Sequence, residues 1–391
     1  MTMPRTDLLD AYRPGRSFLY STAERALLAT GATVTLPGRG PHAARRAAAV
    51  LDALGDDAHG RRSLLVGAIP FDDDAPARLV IPESHTWGEP VTGSPPHRTG
   101  VRELRAEPPE DDYLASVHTA LSLMDGGDLD KAVLARSLVL RPNAPVDVPA
   151  LVRGLAGGDP RGHTFAVPLP GRRTLVGASP ELLVRRRGGV VTAHPLAGSR
   201  PRTGDPVRDA VATAELLACD KDRREHAFVV DAIATALAPY CASVDAPPTP
   251  TVTTTGAMLH LGTLITAELR DERVSALELA CALHPTPAVC GTPTAPAREL
   301  IGRVEGFERG FYAGMVGWTD GSGDGEWAVA IRCAEVDGDR LRLYAGAGIV
   351  PGSQPRAELA ETSAKFRTLL GALGVETGTE AADVARIHRV A

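Results

Sequence analysis

The chain reads as an α+β protein with largely antiparallel sheets packed with helices, and three observations carry that reading. Apolar stretches of strand length follow one another with only short turns between them. Segments of helical period fall in separate blocks, as they do in α+β rather than alternating α/β proteins. Glycine- and aspartate-rich turns, GSGDG at 321–325 and DGD at 337–339, join apolar runs at hairpin spacing.

Taken in order, 17–20, 64–69 and 78–81 read as strands and 43–54 as a helix. The proline-rich stretch 82–109 has no clear period and reads as a surface connection and a soft boundary. Residues 111–124 form an amphipathic helix, with Leu114, Val117, Leu121 and Met124 on one face. From Lys131 the pattern is denser. KAVLARSLVL, HTFAVPL, RTLVGAS and ELLVRR are strands. Helices follow at 206–218 and 220–239, the second striped by Val229, Val230, Ile233 and Leu237. AMLHLGTLITAEL reads as one strand, SALELACAL as a short helix, and FYAGMVGW, EWAVAIRCAEV and RLRLYAGAGIV as three further strands. A helix at about 355–371 closes the fold. The expected organisation is one domain over 1–391, with a variable part at 1–109, the chemistry-bearing motifs at 110–373 and a weakly ordered tail at 374–391.

Composition narrows the function. The 391 residues are 43% hydrophobic and 23% charged, which is ordinary for a globular protein. A net charge of −6 gives no reason to expect a nucleic-acid surface. No apolar run approaches the roughly 20 residues of a membrane span, and MTMPRTDLLD has no apolar core of a secretory signal. The five cysteines lie far apart without a C-x-x-C pair, which fits reduced thiols in a cytoplasmic protein. Of the 42 basic residues only three are lysine: Lys131, Lys221 and Lys365. Arginine stays protonated, whereas a lysine can be tuned by burial to act as a base. Three lysines surviving in an arginine-biased chain are therefore candidates for chemistry, or survivors by chance.

No phosphate-binding loop, H-E-x-x-H or G-x-S-x-G occurs. Two acidic helical segments stand out, Lys221 to His226 and Glu358 to Lys365. Glu358 and Glu361 share a helix face, with Lys365 four residues after Glu361. This is either a surface salt bridge or a Mg²⁺ site, since Mg²⁺ takes few protein carboxylates and leaves room for water and an anionic substrate. Glu181 follows a strand at a Ser-Pro bend and is either a solvated edge residue or a general acid. Lys131 shares side-chain parity with Val133 and Ala135, an inward face on which a lysine needs a partner or a purpose. Arg332, inside the apolar run AVAIRC, needs a buried anion. The pair Gly346 and Gly348 in YAGAG marks a strand whose backbone something approaches. Together these residues describe a pocket for a small polyanion.

At these positions the chain resembles the chorismate-utilising enzymes, and most of all the isochorismate synthases of catecholate-siderophore pathways. The segments that carry the resemblance are KAVLAR, GASPELLV, HPLAGSRPR, LLACDKDRREH, HLGT, LHPTPAVCGTP, FYAGMVGW, GDGEWAVAIRCAEV, YAGAGIVPGSQP and AETSAK, in order from 131 to 371. The resemblance implies the fold of that family and a set of roles. Lys131 is then the base that activates water for attack at C2 of chorismate, and Glu181 the acid that protonates the departing C4 hydroxyl. Glu225 and Glu361 hold Mg²⁺, with Glu358 beside or just behind them. Arg332 and Lys365 bind substrate carboxylate, helped by backbone N–H groups near Gly346 and Gly348. Ser199 and Thr286 line the pocket.

The resemblance also separates relatives. Enzymes that make 4-amino-4-deoxychorismate carry a lysine in a P-I-K-G-T segment, where this chain has Ala197. Ammonia-using anthranilate synthases usually have glutamine in place of Lys131 and depend on a glutaminase partner. The expected enzyme is therefore a water-using isochorismate synthase, monomeric and without a glutaminase subunit. The alternatives are a salicylate synthase, which also eliminates pyruvate, and a non-catalytic scaffold of the same fold. Gly306 stands where relatives commonly have proline, in a turn away from these residues.

Overall fold

The computed structural model describes residues 7–38, 40–55, 62–96 and 99–375. Most of the tail expected to be weakly ordered, 376–391, lies outside the described residues. Two large sheets and one small one organise the chain, and every strand pairing among the described residues is antiparallel.

The ten-stranded sheet has Lys131–Pro142, Arg340–Ile349, Cys333–Asp337, Thr174–Ser179 and His163–Pro168 as successive neighbours, and continues into Ser17–Ser21, Ala26–Thr30 and Ser84–Gly88. The nine-stranded sheet runs through Ile265–Leu269, Val190–His194, Leu182–Arg187, Gly325–Val329 and Met315–Asp320 to Leu64–Ile69 and Arg78–Ile81. The small sheet is Leu196–Pro201, Met258–Gly262 and Thr251–Thr254. N-terminal strands thus complete both large sheets. The main core fills the space between them, with Phe165, Leu183, Val184, Val316 and Trp327 fully buried. A second core lies where the helices Val148–Gly158 and Pro355–Ala372 cover the ten-stranded sheet with Leu151, Leu155, Phe366 and Leu369. Lys131–Pro142 is covered on both sides, which explains its almost unbroken apolar reading.

Local chemistry sets the helix starts. Asp205 caps Pro206–Ala218 by accepting from the N–H groups of Val207 and Arg208, and Pro206 at the first turn has no N–H to satisfy. Ser275 caps Ala276–Leu283 through the N–H of Glu278. Asp220–Leu237 and Pro355–Ala372 carry Asp220, Asp222 and Glu358 in their first turns, where the helix dipole favours carboxylates. Among the described residues no helix is long and apolar enough to cross a membrane.

Three expectations are corrected. The stretch 82–109 is not only a surface connection, because it holds the strands Ser84–Gly88 and Val101–Glu107. Its prolines, at 82, 90, 95, 96, 108 and 109, all fall outside those strands, so they punctuate the segment without breaking its pairing. AMLHLGTLITAEL is two strands in two sheets, parted at Thr263, whose hydroxyl is held 2.7 Å from His226. EWAVAIRCAEV is also two strands, Gly325–Val329 and Cys333–Asp337, because the backbone turns at Arg332 with φ +50° and crosses between the large sheets. Periodicity cannot register such a crossing, since both halves are buried and apolar.

One buried ion pair anchors the strand that begins at Lys131. Arg309 donates to both oxygens of Glu305 and to the carbonyls of Val289 and Val133, and Glu305 accepts the N–H of Ala135 at 2.7 Å. Both side chains are almost wholly buried. Glu305→Ala leaves that guanidinium without its anion, and such losses cost about 3–5 kcal/mol. Urea denaturation of the variant is expected to give a stability loss of that size. A loss within a few tenths of a kcal/mol of zero would show that the pair does not anchor the strand.

Candidate active site

One cavity collects residues from two of the three sheets and from two helices. Val133, Tyr344, Gly346 and Gly348 come from the ten-stranded sheet, and Leu196, Ala197, Gly198, Ser199 and His260 from the small one. Glu225 comes from Asp220–Leu237, and Glu361 and Lys365 from Pro355–Ala372. Glu181 and Arg332 complete the wall, and both sit at crossings between the large sheets. The chain leaves Thr174–Ser179 and enters Leu182–Arg187 through Pro180 and Glu181, and leaves Gly325–Val329 for Cys333–Asp337 through Arg332. These strands are neighbours at both ends, Gly177 facing Cys333 and Leu182 facing Ala328. The two crossings therefore lie side by side, and each delivers one charged group to the cavity.

Of the eleven residues singled out from the sequence, eight line this cavity: Glu181, Ser199, Glu225, Arg332, Gly346, Gly348, Glu361 and Lys365. Lys131 lies immediately behind, with its side chain fully buried and its Nζ 3.2 Å from Oε1 of Glu225. Glu358 is buried behind Glu361 and accepts from Nζ of Lys221 at 2.8 Å. Thr286 is also outside the lining. Its carbonyl accepts the N–H groups of Val289 and Cys290, and its hydroxyl that of Ala288 at 3.3 Å, so it shapes the turn that presents Ala288 and Val289.

The electrostatics differ from group to group. Glu181 is 3% exposed. Burial pushes its carboxyl up to about 7, against the N–H of Leu196 and the charges of Lys131, Arg332 and Lys365. It is thus a carboxylic acid poised near neutral pH. For Glu361, burial opposes ionisation, but Lys365 at 2.6 Å and Ser199 outweigh it and hold the carboxyl below its ordinary range. Lys365 also donates to the carbonyl of Gly346 at 2.8 Å, so the backbone group engaged there is a carbonyl. The glycine pair is explained by close approach. A Cβ on Gly348 would lie 2.0 Å from Oε1 of Glu225, and one on Gly346 2.7 Å from the hydroxyl of Tyr312.

Sequence reasoning passed over His260 and the tyrosines. Nε2 of His260 lies 3.1 Å from a guanidinium nitrogen of Arg332. Burial first, then the charges of Arg332 and Lys365, drives the imidazole well below its ordinary pKa, so it is neutral and accepts from Arg332. A histidine within the apolar run MLHLG was the signal available. Tyr312 and Tyr344 stack with ring centroids 5.0 Å apart and form the aromatic wall. That contact joins residues 32 positions apart, and no local pattern records it.

Among the described residues no three acidic, histidine or cysteine side chains converge as an all-protein metal cage. The donor chemistry nevertheless fits Mg²⁺, which typically uses one or two carboxylates and completes its shell with water and substrate oxygens. Glu225 and Glu361 face the same cavity. Behind them the carboxyl of Glu358 is raised by burial and then by the charge of Glu361, against its pairing with Lys221.

On this antiparallel α+β frame the chain belongs to the chorismate-binding enzymes. The family model described as chorismate binding enzyme matches residues 81–374. The chain is 47% identical to the isochorismate synthase DhbC of Bacillus subtilis (strain 168), over 94% of this chain and 96% of that protein. It is 39% identical to the vibriobactin-specific isochorismate synthase of Vibrio cholerae, over 94% of each. A crystal structure of DhbC from Bacillus anthracis superposes with a TM-score of 0.90 at 45% identity, covering 94% of this chain and 99% of that one.

The state of Glu181 has a measurable cost. In the unfolded chain its carboxyl ionises at about 4.5, in the fold at about 7. The folded state therefore holds a proton that the unfolded state has released, and stability falls as pH rises from about 4.5 to about 7 and stays lower above that. The full penalty is on the order of 3 kcal/mol. Glu181→Gln, which keeps the shape without the charge, is expected to raise the unfolding free energy at pH 8 by ~1–3 kcal/mol and to leave it unchanged at pH 4. Equal effects at both pH values would refute the raised carboxyl.

Proposed function

We propose that this chain is a Mg²⁺-dependent isochorismate synthase, an isomerase that converts chorismate to isochorismate and feeds siderophore biosynthesis. The observation that carries the proposal is Glu181, a fully enclosed glutamic acid close to half-protonated at neutral pH, in a cavity backed by the buried Lys131. Hydroxide is a poor leaving group and water a poor nucleophile, so exchange of a hydroxyl between two ring carbons needs an acid for one and a base for the other.

In this reading Lys131, as the uncharged amine and not as the ammonium of its pair with Glu225, takes a proton from the water that attacks C2. The ring double bonds shift, and Glu181 gives its proton to the C4 hydroxyl as it departs as water. Atoms and charge balance without a covalent intermediate. Arg332, steadied by neutral His260, and Lys365 bind substrate carboxylate, while Ser199 and the backbone at Gly346 and Gly348 shape the floor. Glu225 and Glu361 would hold Mg²⁺, which when bound supplies charge neutralisation and orientation for the ring carboxylate. Tyr312, Tyr344, Ile331 and Val289 form the apolar part of the wall.

Alanine at 197 removes the lysine on which C4 amination depends in the resembling enzymes, and Lys131 favours water over ammonia. We therefore expect no glutaminase partner, and a monomer. N-terminal strands that complete both large sheets support a single chorismate-binding unit. The five free cysteines and the absence of an apolar spanning helix among the described residues accord with a cytoplasmic enzyme. The salicylate synthase alternative is not favoured, since the closely similar relatives carry the name isochorismate synthase.

Chromatography after incubation with chorismate and Mg²⁺ is expected to show isochorismate as the main product. Lys131→Ala is expected to slow conversion by ~10²-fold or more while the fold persists by circular dichroism. Stoichiometric pyruvate with salicylate fluorescence, or near-normal turnover in the variant, would overturn the assignment.

Chelation supplies a second test. EDTA is expected to stop turnover and Mg²⁺ to restore it, with Glu361→Ala requiring far more Mg²⁺ for half-maximal rate. Full activity in excess chelator would refute the metal reading.

A further inference from the structure

Lys221 is the one lysine that the proposed chemistry does not use, yet its surroundings are specific. Each of the three lysines is paired to a glutamate: Lys131 to Glu225 at 3.2 Å, Lys365 to Glu361 at 2.6 Å and Lys221 to Glu358 at 2.8 Å. In the first two pairs the carboxylate lines the cavity, and in the third it does not. Glu358 has a side chain only 3% exposed, while that of Lys221 is 29% exposed. The lysine therefore reaches inward from the protein's edge to a carboxylate that is almost completely enclosed.

The helical spacing makes this pair consequential. Lys221 lies four residues before Glu225 on Asp220–Leu237, and Glu358 three before Glu361 on Pro355–Ala372. Each member thus sits one turn from a cavity carboxylate on the same helix face. Among the described residues it is the one ion pair joining these two helices. Without Lys221, Glu358 would be a buried carboxyl beside Glu361, with the hydrogen bond from Ser353 left to it. A buried unpaired carboxyl either takes up a proton or draws in a cation, and a divalent ion held close by Glu225 and Glu361 is such a cation.

Ligand number is what separates the common divalent ions. Mg²⁺ holds to six ligands at short distance and keeps water, whereas Ca²⁺ accepts six to eight oxygens at longer and more variable distances and gains from added carboxylates. We infer that Lys221 is a positioning residue that holds Glu358 out of the metal's coordination set, so that the cavity offers two carboxylates and favours Mg²⁺ over Ca²⁺. The inference rests on the reading of Glu225 and Glu361 as the metal-holding pair.

The test uses the full-length protein and metal alone. Bound Mn²⁺ is measured by electron paramagnetic resonance and displaced with Mg²⁺ or Ca²⁺. Lys221→Met is expected to tighten Ca²⁺ binding roughly tenfold or more relative to Mg²⁺. Lys221→Arg is expected to keep the wild-type preference, and Lys221→Met with Glu358→Gln to restore it. If Lys221→Met does not fold, Lys221→Gln is read the same way. A pair that merely braced the helices would weaken both ions together and leave their ratio unmoved. That result, or an unchanged ratio at unchanged affinity, overturns the inference. A control separates the two layers. If wild-type protein binds no Mn²⁺, or Glu225→Gln with Glu361→Gln binds it equally well, the metal reading itself fails and this inference falls with it. Binding through those two carboxylates with no Ca²⁺ gain in Lys221→Met defeats this inference alone.

Discussion

A charge placed inside a protein has to be answered by an opposite charge at close range, and the interior of this molecule is arranged around that constraint. Transfer of an isolated ion out of water is so unfavourable that the group either neutralises or finds a partner. Both outcomes occur within one cavity. The lysines and their glutamates answer one another in pairs, whereas Glu181, enclosed with cations near but none in contact, settles near the point of neutrality. An acid and a set of anions thus arise from one residue type, sorted by what stands beside each.

The backbone brings these groups together by an economical route. Two neighbouring strands pass from one large sheet to the other side by side, and their crossings leave Glu181 and Arg332 at adjacent points. A regular strand would send alternate side chains to opposite faces. A crossing interrupts that alternation, and at Arg332 it does so with a left-handed backbone. The departure from regular geometry therefore sits where these two charged groups enter the cavity.

Much of this was legible in the sequence, and the rest was hidden for definable reasons. Helix positions followed from apolar period, and the reading of 206–218 matches the observed helix to the residue, whose start the structure finds capped by Asp205. The scarcity of lysine drew attention to three positions that the structure finds paired to buried or half-buried carboxylates. The crossings at 263 and 332 were not legible, because a strand that changes sheets keeps the same buried, apolar character throughout. The strands in 82–109 were masked by prolines that lie between them. His260 and the tyrosine stack depend on contacts between distant segments, which a single sequence does not encode in any local pattern. For Thr286 the residue was visible, while its position in a turn outside the cavity lining was not.

The strand from Lys131, the helix carrying Glu225 and the last described helix, carrying Glu361 and Lys365, are spread over some 240 positions of the chain. This separation has a consequence during synthesis. A ribosome releases the chain from its N-terminus, so Lys131 and Glu225 emerge well before their cavity can close. The last described helix must clear the exit tunnel before Lys365 can meet Gly346 or Lys221 can meet Glu358. Until then Lys221 lacks its answering carboxylate and the sheet lacks its cover of Phe366 and Leu369. Nascent chains interrupted short of that helix would expose both apolar surface and unpaired charge, which makes them recognisable to quality-control proteases as incomplete.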